Sequence, residues 1–255
     1  RARRRAAHGA RGRRVTDAPG GAPGAERIAP RSPAVKFCGL VRAEDAATAA
    51  RLGAAHVGSI FAGGPRAVTA AVARRNARAA RDAAAPGARP ASVGVFGGQP
   101  LDVVLELAEA AELDAVQLHA DPDADAVTAL RAHWRGESWA VLRVPGSALP
   151  GHAAELFAVA DAVVLDARVA GGPLGGTGTT LPWAALADAV AAVRGATRLV
   201  LAGGLTPENV AAAAAALAPD VVDVSSGVER APGVKDPARM AALVAALAPR
   251  PTPDR

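Results

Sequence analysis

From residue 34 onward the sequence alternates short, unbroken apolar runs with longer segments of helical period, eight times over residues 34–248. Runs that are apolar throughout belong to strands buried on both faces, the pattern of a parallel sheet covered by helices. Strands are expected at 34–38, 56–61, 92–96, 115–118, 139–144, 162–166, 198–202 and 221–224. Helices are expected between and after them at 43–52, 70–83, 101–112, 123–133, 153–159, 183–193, 207–217 and 237–247. Thr206 before Pro207 and Asp236 before Pro237 each pair a capping side chain with proline at the first helical position. Eight strict repeats of one strand and one helix predict an α/β fold of a single domain, a closed (β/α)8 TIM barrel. An open doubly wound sheet is the alternative that the same alternation permits.

The 255 residues are 51% hydrophobic, enough for a full core, and no apolar run is long enough to span a membrane: the alanines at 211–216 are bounded by Asn209 and Pro219. The formal charge of +5 suggests a nucleic-acid partner until its distribution is considered. Arg1, Arg3, Arg4, Arg5, Arg11, Arg13 and Arg14 all precede the first acid, Asp17; without them 22 basic side chains face 24 acidic ones, a net charge of −2. Residues 1–33, rich in Arg, Gly, Pro and Ala, have no apolar periodicity and are expected to form a disordered arm. The arm has neither the apolar run of a secretory signal nor the serine content of a transit peptide. Residues 34–248 make the barrel and 249–255 a disordered tail. One cysteine excludes an intramolecular disulfide framework and any multi-cysteine metal site. These features fit the cytoplasm.

In a (β/α)8 barrel the active site is built at the carboxyl ends of the strands, and here those ends are polar. Strand 1 runs into Cys38-Gly39, strand 4 into Gln117-Leu118-His119, strand 6 into Asp166, strand 7 into Gly203-Gly204, and strand 8 into Asp223-Val224-Ser225-Ser226-Gly227. The two glycine loops after successive strands 7 and 8 suit a phosphate, because backbone amides reach an anion where no side chain intervenes. Gly176 and Gly178, in the glycine run after strand 6, are candidates for further amides to the same anion. Cys38 is placed to face the barrel mouth. A thiol of ordinary pKa is about a tenth ionised near pH 7.5, so modest help from its surroundings makes it a usable base. Asp166 ends an apolar strand, where desolvation raises a carboxyl toward the range of a general acid. Lys36 shares a face with Cys38; closure of the barrel brings Asp223 beside it and predicts a buried ion pair under the site. Arg66, in the loop after strand 2, is placed to bind a carboxylate through both arms of its guanidinium.

Taken in order along residues 35–247, these segments resemble phosphoribosylanthranilate isomerase, the barrel enzyme of tryptophan biosynthesis. The resemblance is carried by Lys36-Phe37-Cys38-Gly39-Leu40 with Glu44-Asp45-Ala46, Gly94-Val95-Phe96, Asp114-Ala115-Val116-Gln117-Leu118-His119, Leu165-Asp166-Ala167 and Gly175-Gly176-Thr177-Gly178. Ala202-Gly203-Gly204-Leu205-Thr206-Pro207-Glu208-Asn209-Val210, Val222-Asp223-Val224-Ser225-Ser226-Gly227-Val228-Glu229 and Pro232-Gly233-Val234-Lys235-Asp236 complete it. It implies an Amadori rearrangement of N-(5-phosphoribosyl)anthranilate, with Asp166 as acid on the ribose ring oxygen and Cys38 as base at C2. It further implies Arg66 at the anthranilate end, phosphate at the loops after strands 7 and 8, and neither metal nor organic cofactor. The implied partner is the small phosphorylated sugar-anthranilate substrate, with no membrane or nucleic acid, in a monomer or a homodimer.

The chain departs from the family pattern at Gly97-Gly98, Ala120, Thr179 and Leu181-Pro182-Trp183, none of which is a proposed acid or base. A barrel isomerase of histidine biosynthesis, or one serving both pathways, performs related chemistry, but such enzymes resemble each other in using aspartate for both roles, and Cys38 favours the tryptophan-pathway reading. A phosphate-binding barrel without catalysis would not need Cys38 and Asp166. A nucleic-acid role would rest on the arm alone, since the barrel carries no basic helix and few aromatic side chains for stacking.

Overall fold

The computed structural model describes residues 32–167 and 180–248. The tail and all of the arm except Ser32 and Pro33 lie outside these residues. The strands are β1 (Ala34–Phe37), β2 (His56–Ile60), β3 (Ala91–Phe96), β4 (Ala115–Leu118), β5 (Glu137–Val144), β6 (Ala162–Ala167), β7 (Arg198–Leu201) and β8 (Val221–Val224). All eight are parallel and close into a barrel in chain order, β8 returning to β1. The helices following them are α1 (Ala43–Arg51), α2 (Ala70–Ala83), α3 (Leu101–Ala110), α4 (Ala124–His133), α5 (Ala153–Val159), α6 (Trp183–Arg194), α7 (Val210–Leu217) and α8 (Pro237–Leu247). No helix among the described residues is long and apolar enough to cross a membrane.

Each expected element is present, and the differences have local causes. The ladder of β1 stops at Phe37, yet Cys38 still donates its N–H to the Val224 carbonyl at 2.9 Å, so the thiol keeps a strand-like position. Asp236 caps α8 through the N–H groups of Ala238 and Arg239, with Pro237 at the first turn. Thr206 does not cap α7. Asn209 instead accepts from the Thr206 N–H and donates to the Gly204 carbonyl, which holds residues 206–209 as a turn and delays the helix to Val210. After β8 the chain forms a 3-10 turn (Ser226–Val228) and a small antiparallel hairpin, β9 (Glu229–Ala231) with β10 (Val234–Lys235), which periodicity did not predict.

The barrel interior is filled by alternate strand residues, among them Val93, Ala115, Val141, Val164, Val200 and Val221, with the fully buried Trp139 as the largest plug. The opposite strand faces pack against the helices through Phe37, Leu142, Leu165, Leu199 and Val222. At the amino-terminal rim three aspartates preceding even strands tie each to the strand before it. Asp114, Asp161 and Asp220 accept the backbone N–H groups of Ser92, Ser138 and Leu199, and each also takes an arginine from the helix that leads into that earlier strand: Arg81 of α2, Arg131 of α4 and Arg194 of α6. A carboxylate there satisfies a strand-end donor that would otherwise be left unpaired beside the core. Asp161→Ala removes the acceptor of both the Ser138 N–H and its hydroxyl. It is expected to lower the unfolding free energy by about 2 kcal/mol in urea denaturation; an unchanged midpoint would show that the tie contributes nothing.

Candidate active site

Side chains two apart on a strand share a face, so each inward residue at mid-barrel carries another at the mouth. Lys36 leads to Cys38, Gln117 to His119, Val164 to Asp166 and Asp223 to Ser225. The β1–β8 register sets Lys36 opposite Asp223. Lys36 is fully buried, its Nζ donating to Asp223 Oδ2 at 2.7 Å and to Gln117 Oε1 at 3.1 Å, with the Trp139 ring centroid 5.8 Å away. The ammonium has only hydrogens to offer, so Gln117 must turn its oxygen toward Lys36 and its amide nitrogen toward His119 Nδ1, at 3.3 Å. Nδ1 therefore accepts, and the ring hydrogen sits on Nε2, which lies 3.8 Å from Asp166 Oδ2. A hydrogen-bonded chain thus runs from Asp223 through Lys36 and Gln117 to His119, with Asp166 next beyond its Nε2.

The electrostatics of the two strand-end groups diverge. Burial pushes the Asp166 carboxyl up to about 6, opposed by the Ala167 N–H that it accepts and reinforced by Asp223. Burial also pushes the Cys38 thiol up, while the charges of Lys36 and Lys235 pull it down and Asp223 adds to the rise. The expected help to the thiol is thus present as Lys36 but outweighed by burial. Burial alone would lower Lys36, and Asp223 and Cys38 more than offset that, so the lysine keeps its charge. Gly58 makes room for the thiol: a Cβ there would lie 2.9 Å from Cys38 Sγ and 3.0 Å from its Cα.

Arg66 reaches the mouth but is already engaged. Its Nε donates to Glu229 Oε1 at 2.9 Å and its Nη2 to Oε2 at 2.7 Å, and Glu229 is held in turn by Lys235 Nζ at 2.8 Å. On the far side, Gly203 and Gly204 take positive φ values of 86° and 60°. Gly227 approaches so closely that a Cβ would overlap the Leu205 carbonyl. The Ser225 hydroxyl is buried, with no hydrogen-bond partner among the described residues. Gly176 and Gly178 lie outside the described residues. A cavity of about 280 Å³ opens between these groups, lined by Cys38, Arg66, His119, Asp166, Gly204 and Ser225 among others. Gln117, Asp223, Gly203, Ser226 and Gly227 also line it, whereas Lys36 stays beneath.

Sequence reasoning brought together Cys38, Asp166, Arg66, both glycine loops, Lys36, Asp223, Gln117 and His119, and gave no role to Gly58, Glu229 or Lys235. The last two stood in the segments carrying the resemblance. Two opposite charges flanking a Pro-Gly turn were the available signal.

A closed parallel barrel with a raised carboxyl, a thiol and glycine loops at its mouth defines an acid–base barrel enzyme. Residues 35–246 match the family described as N-(5'phosphoribosyl)anthranilate (PRA) isomerase. An N-(5'-phosphoribosyl)anthranilate isomerase of Pseudomonas aeruginosa is 38% identical over 217 residues, covering 85% of this chain and 95% of that protein. The crystal structure of phosphoribosyl anthranilate isomerase from Thermus thermophilus superposes with a TM-score of 0.70 at 35% identity, covering 84% of this chain and 98% of that one. A phosphoribosyl anthranilate isomerase solved in complex with reduced 1-(o-carboxyphenylamino)-1-deoxyribulose 5-phosphate gives 0.70 at 28% identity over the same shares. The chain belongs to the phosphoribosylanthranilate isomerase family.

A carboxyl that prefers its proton in the folded state contributes stability that is full below its ordinary 3.8 and lost as pH rises through about 6. Asp166→Asn, which never ionises, is therefore expected to be more stable than the parent near pH 8, by up to about 3 kcal/mol, and no more stable near pH 3. Thermal melts at the two pH values measure this; equal stability at both would mean that Asp166 is not raised.

Proposed function

We propose that this chain catalyses the Amadori rearrangement of N-(5-phosphoribosyl)anthranilate to 1-(2-carboxyphenylamino)-1-deoxyribulose 5-phosphate in L-tryptophan biosynthesis. It acts as a monomer or homodimer in the cytoplasm. The observation that carries this reading is the convergence of Cys38, Asp166, Arg66 and the two glycine loops on one cavity. In the first step Asp166 gives its proton to the ribose ring oxygen as the C1–O bond breaks, and the nitrogen lone pair forms a protonated imine. Cys38 as thiolate then removes the C2 proton, the C2–H electrons become the C1=C2 bond, and the imine π electrons return to nitrogen. The enolamine loses its 2-hydroxyl proton and gains one at C1 to reach the ketone. The imine nitrogen is the electron sink, so the bond changes balance without a cofactor.

The phosphate is assigned to Gly203, Gly204, Ser225, Ser226 and Gly227, which line the cavity and include the Ser225 hydroxyl, buried without a partner among the described residues; Gly176 and Gly178 are assigned to the same end from sequence alone. The anthranilate end lies at Arg66. Asp223 Oδ1 is buried, without a partner among the described residues, and is suited to a ribose hydroxyl. Lys36, Gln117 and His119 are assigned the support of acid and base through the polar chain beneath them.

The active form needs Asp166 protonated and Cys38 ionised. With the carboxyl near 6 and the thiol above its ordinary range, that form is a minority at every pH between the two. The kcat/KM profile is expected to rise with pH up to about 6, as the thiolate fraction grows while Asp166 stays protonated, and then to hold level, as the falling acid fraction cancels the rising base fraction. A profile that already falls between pH 6 and the range where the thiol itself ionises would contradict this pairing of groups; above that range a fall is expected, because the thiolate no longer gains while Asp166 goes on losing its proton. Turnover is followed by loss of substrate fluorescence, the substrate being made freshly from anthranilate and ribose 5-phosphate. Cys38→Ala and Asp166→Asn are each expected to lose roughly 10²-fold or more. A silent parent would refute the assigned reaction, and active variants would refute the assigned groups.

A further inference from the structure

Arg66 does not stand alone at the anthranilate end. Its guanidinium is forked onto Glu229, whose side chain is only 4% exposed, and Glu229 is clamped from its other side by Lys235, whose side chain is fully buried. Lys235 Nζ also donates to the Ser225 carbonyl at 3.0 Å, so the cluster is fastened to the loop after β8. The hairpin supplying both residues is tied to the barrel at a second point, where the Lys235 backbone N–H donates to Asp45 Oδ2 at 3.2 Å and Arg42 grips the same carboxylate.

This arrangement poses an electrostatic problem for carboxylate recognition. An arginine already forked onto a carboxylate is neutralised, and a second anion approaching the Arg66–Glu229 pair alone meets no net attraction. Lys235 changes the sum: burial lowers its ammonium, Glu229 at 2.8 Å and the Ser225 carbonyl at 3.0 Å favour the charged form, and while it holds its proton two cations and one anion leave one net positive charge, with Arg66 the only member of the three lining the cavity. Glu229 at the same time removes the rotamer freedom of a long side chain, so that Arg66 need not be ordered when a ligand arrives. The remaining guanidinium N–H groups of Arg66 are then presented in a fixed direction. Burial would by itself raise Glu229, but Arg66 and Lys235 together hold it below its ordinary range, so the carboxylate at the centre stays ionised.

We infer that Glu229 and Lys235 are positioning residues for carboxylate selection, Glu229 fixing the Arg66 fork and buried Lys235 restoring the positive charge that Glu229 would cancel. The inference rests on the function proposed above and deepens its anthranilate end. It makes the chain selective for an N-aryl phosphoribosylamine that bears an ortho carboxylate over the same compound without one.

The test uses the full chain and two substrates made in situ from ribose 5-phosphate, one with anthranilate and one with aniline. The parent is expected to prefer the carboxylated substrate in kcat/KM. In Lys235→Met, and in Glu229→Gln, where loss of the fixed fork is expected to outweigh the charge gained, that preference is expected to fall about tenfold or more, through KM for the carboxylated substrate, with kcat nearly kept and the aniline substrate affected far less. A merely structural brace would weaken both substrates alike, and that result in either folded variant overturns the inference. Lys235→Met leaves the Arg66–Glu229 fork in place, so it still decides the question if Glu229→Gln fails to fold. A parent that turns over both substrates equally well defeats the inference while leaving the proposed reaction standing; a parent that turns over neither defeats the reaction itself.

Discussion

A charge buried inside a barrel is tolerated only when paired, since the desolvation of a lone ion costs several kcal/mol. Lys36 satisfies that condition through Asp223, 2.7 Å away across the β1–β8 seam where the barrel closes. The pair therefore exists only in the closed barrel, and it sits two residues below both Cys38 and Ser225. From Lys36 the polar chain extends through Gln117 to His119 and the neighbourhood of Asp166. The orientation of the Gln117 amide and the tautomer of His119 both follow from the lysine having hydrogens and no lone pair to offer.

The same pair shapes the chemistry. Asp223 and Lys36 act in opposite senses on the thiol and on the carboxyl, while burial pushes both groups toward their neutral forms. The thiol keeps its proton and the carboxyl releases one near neutrality, which is the state that the proposed turnover would leave behind. Formation of a protonated imine beside Cys38 would add a positive charge close to the thiol and favour the thiolate at the moment it is needed. A thiol held above its ordinary range suits the proposed reaction, whose first step creates the cation that would activate the second.

Much of this was legible in the sequence because a barrel strand obeys a period of two. Unbroken apolar runs located every strand, and a polar residue ending such a run, as at Cys38, His119 and Asp166, has nowhere to go but the mouth. The Lys36–Asp223 contact followed from counting strands and closing the ring. What escaped has equally definite causes. The hairpin of β9 and β10 is too short for any period to register, and the partner of Arg66 lies 163 residues away along the chain. Gly58 reads as one apolar residue in a run, since its value lies in the space it leaves to Cys38 on the next strand. Asp114, Asp161 and Asp220 each stand just before an apolar run, outside its period, and prove to be strand-end acceptors. The turn before α7 imitates a helix start, because Thr-Pro is a good cap, but here Asn209 takes the Thr206 N–H and the helix begins only at Val210.

The dependence of the Cys38 thiol on the buried pair is open to direct measurement, because the sequence contains one cysteine and no tyrosine. The rise in ultraviolet absorbance as pH increases then reports the Cys38 thiolate without interference from tyrosinate. In the parent the thiol is expected to titrate above the ordinary range, and in Lys36→Met higher still, since the cation that opposes burial is gone. A parent thiol that ionises at or below the ordinary value, or a titration that Lys36→Met leaves in place, would contradict the account.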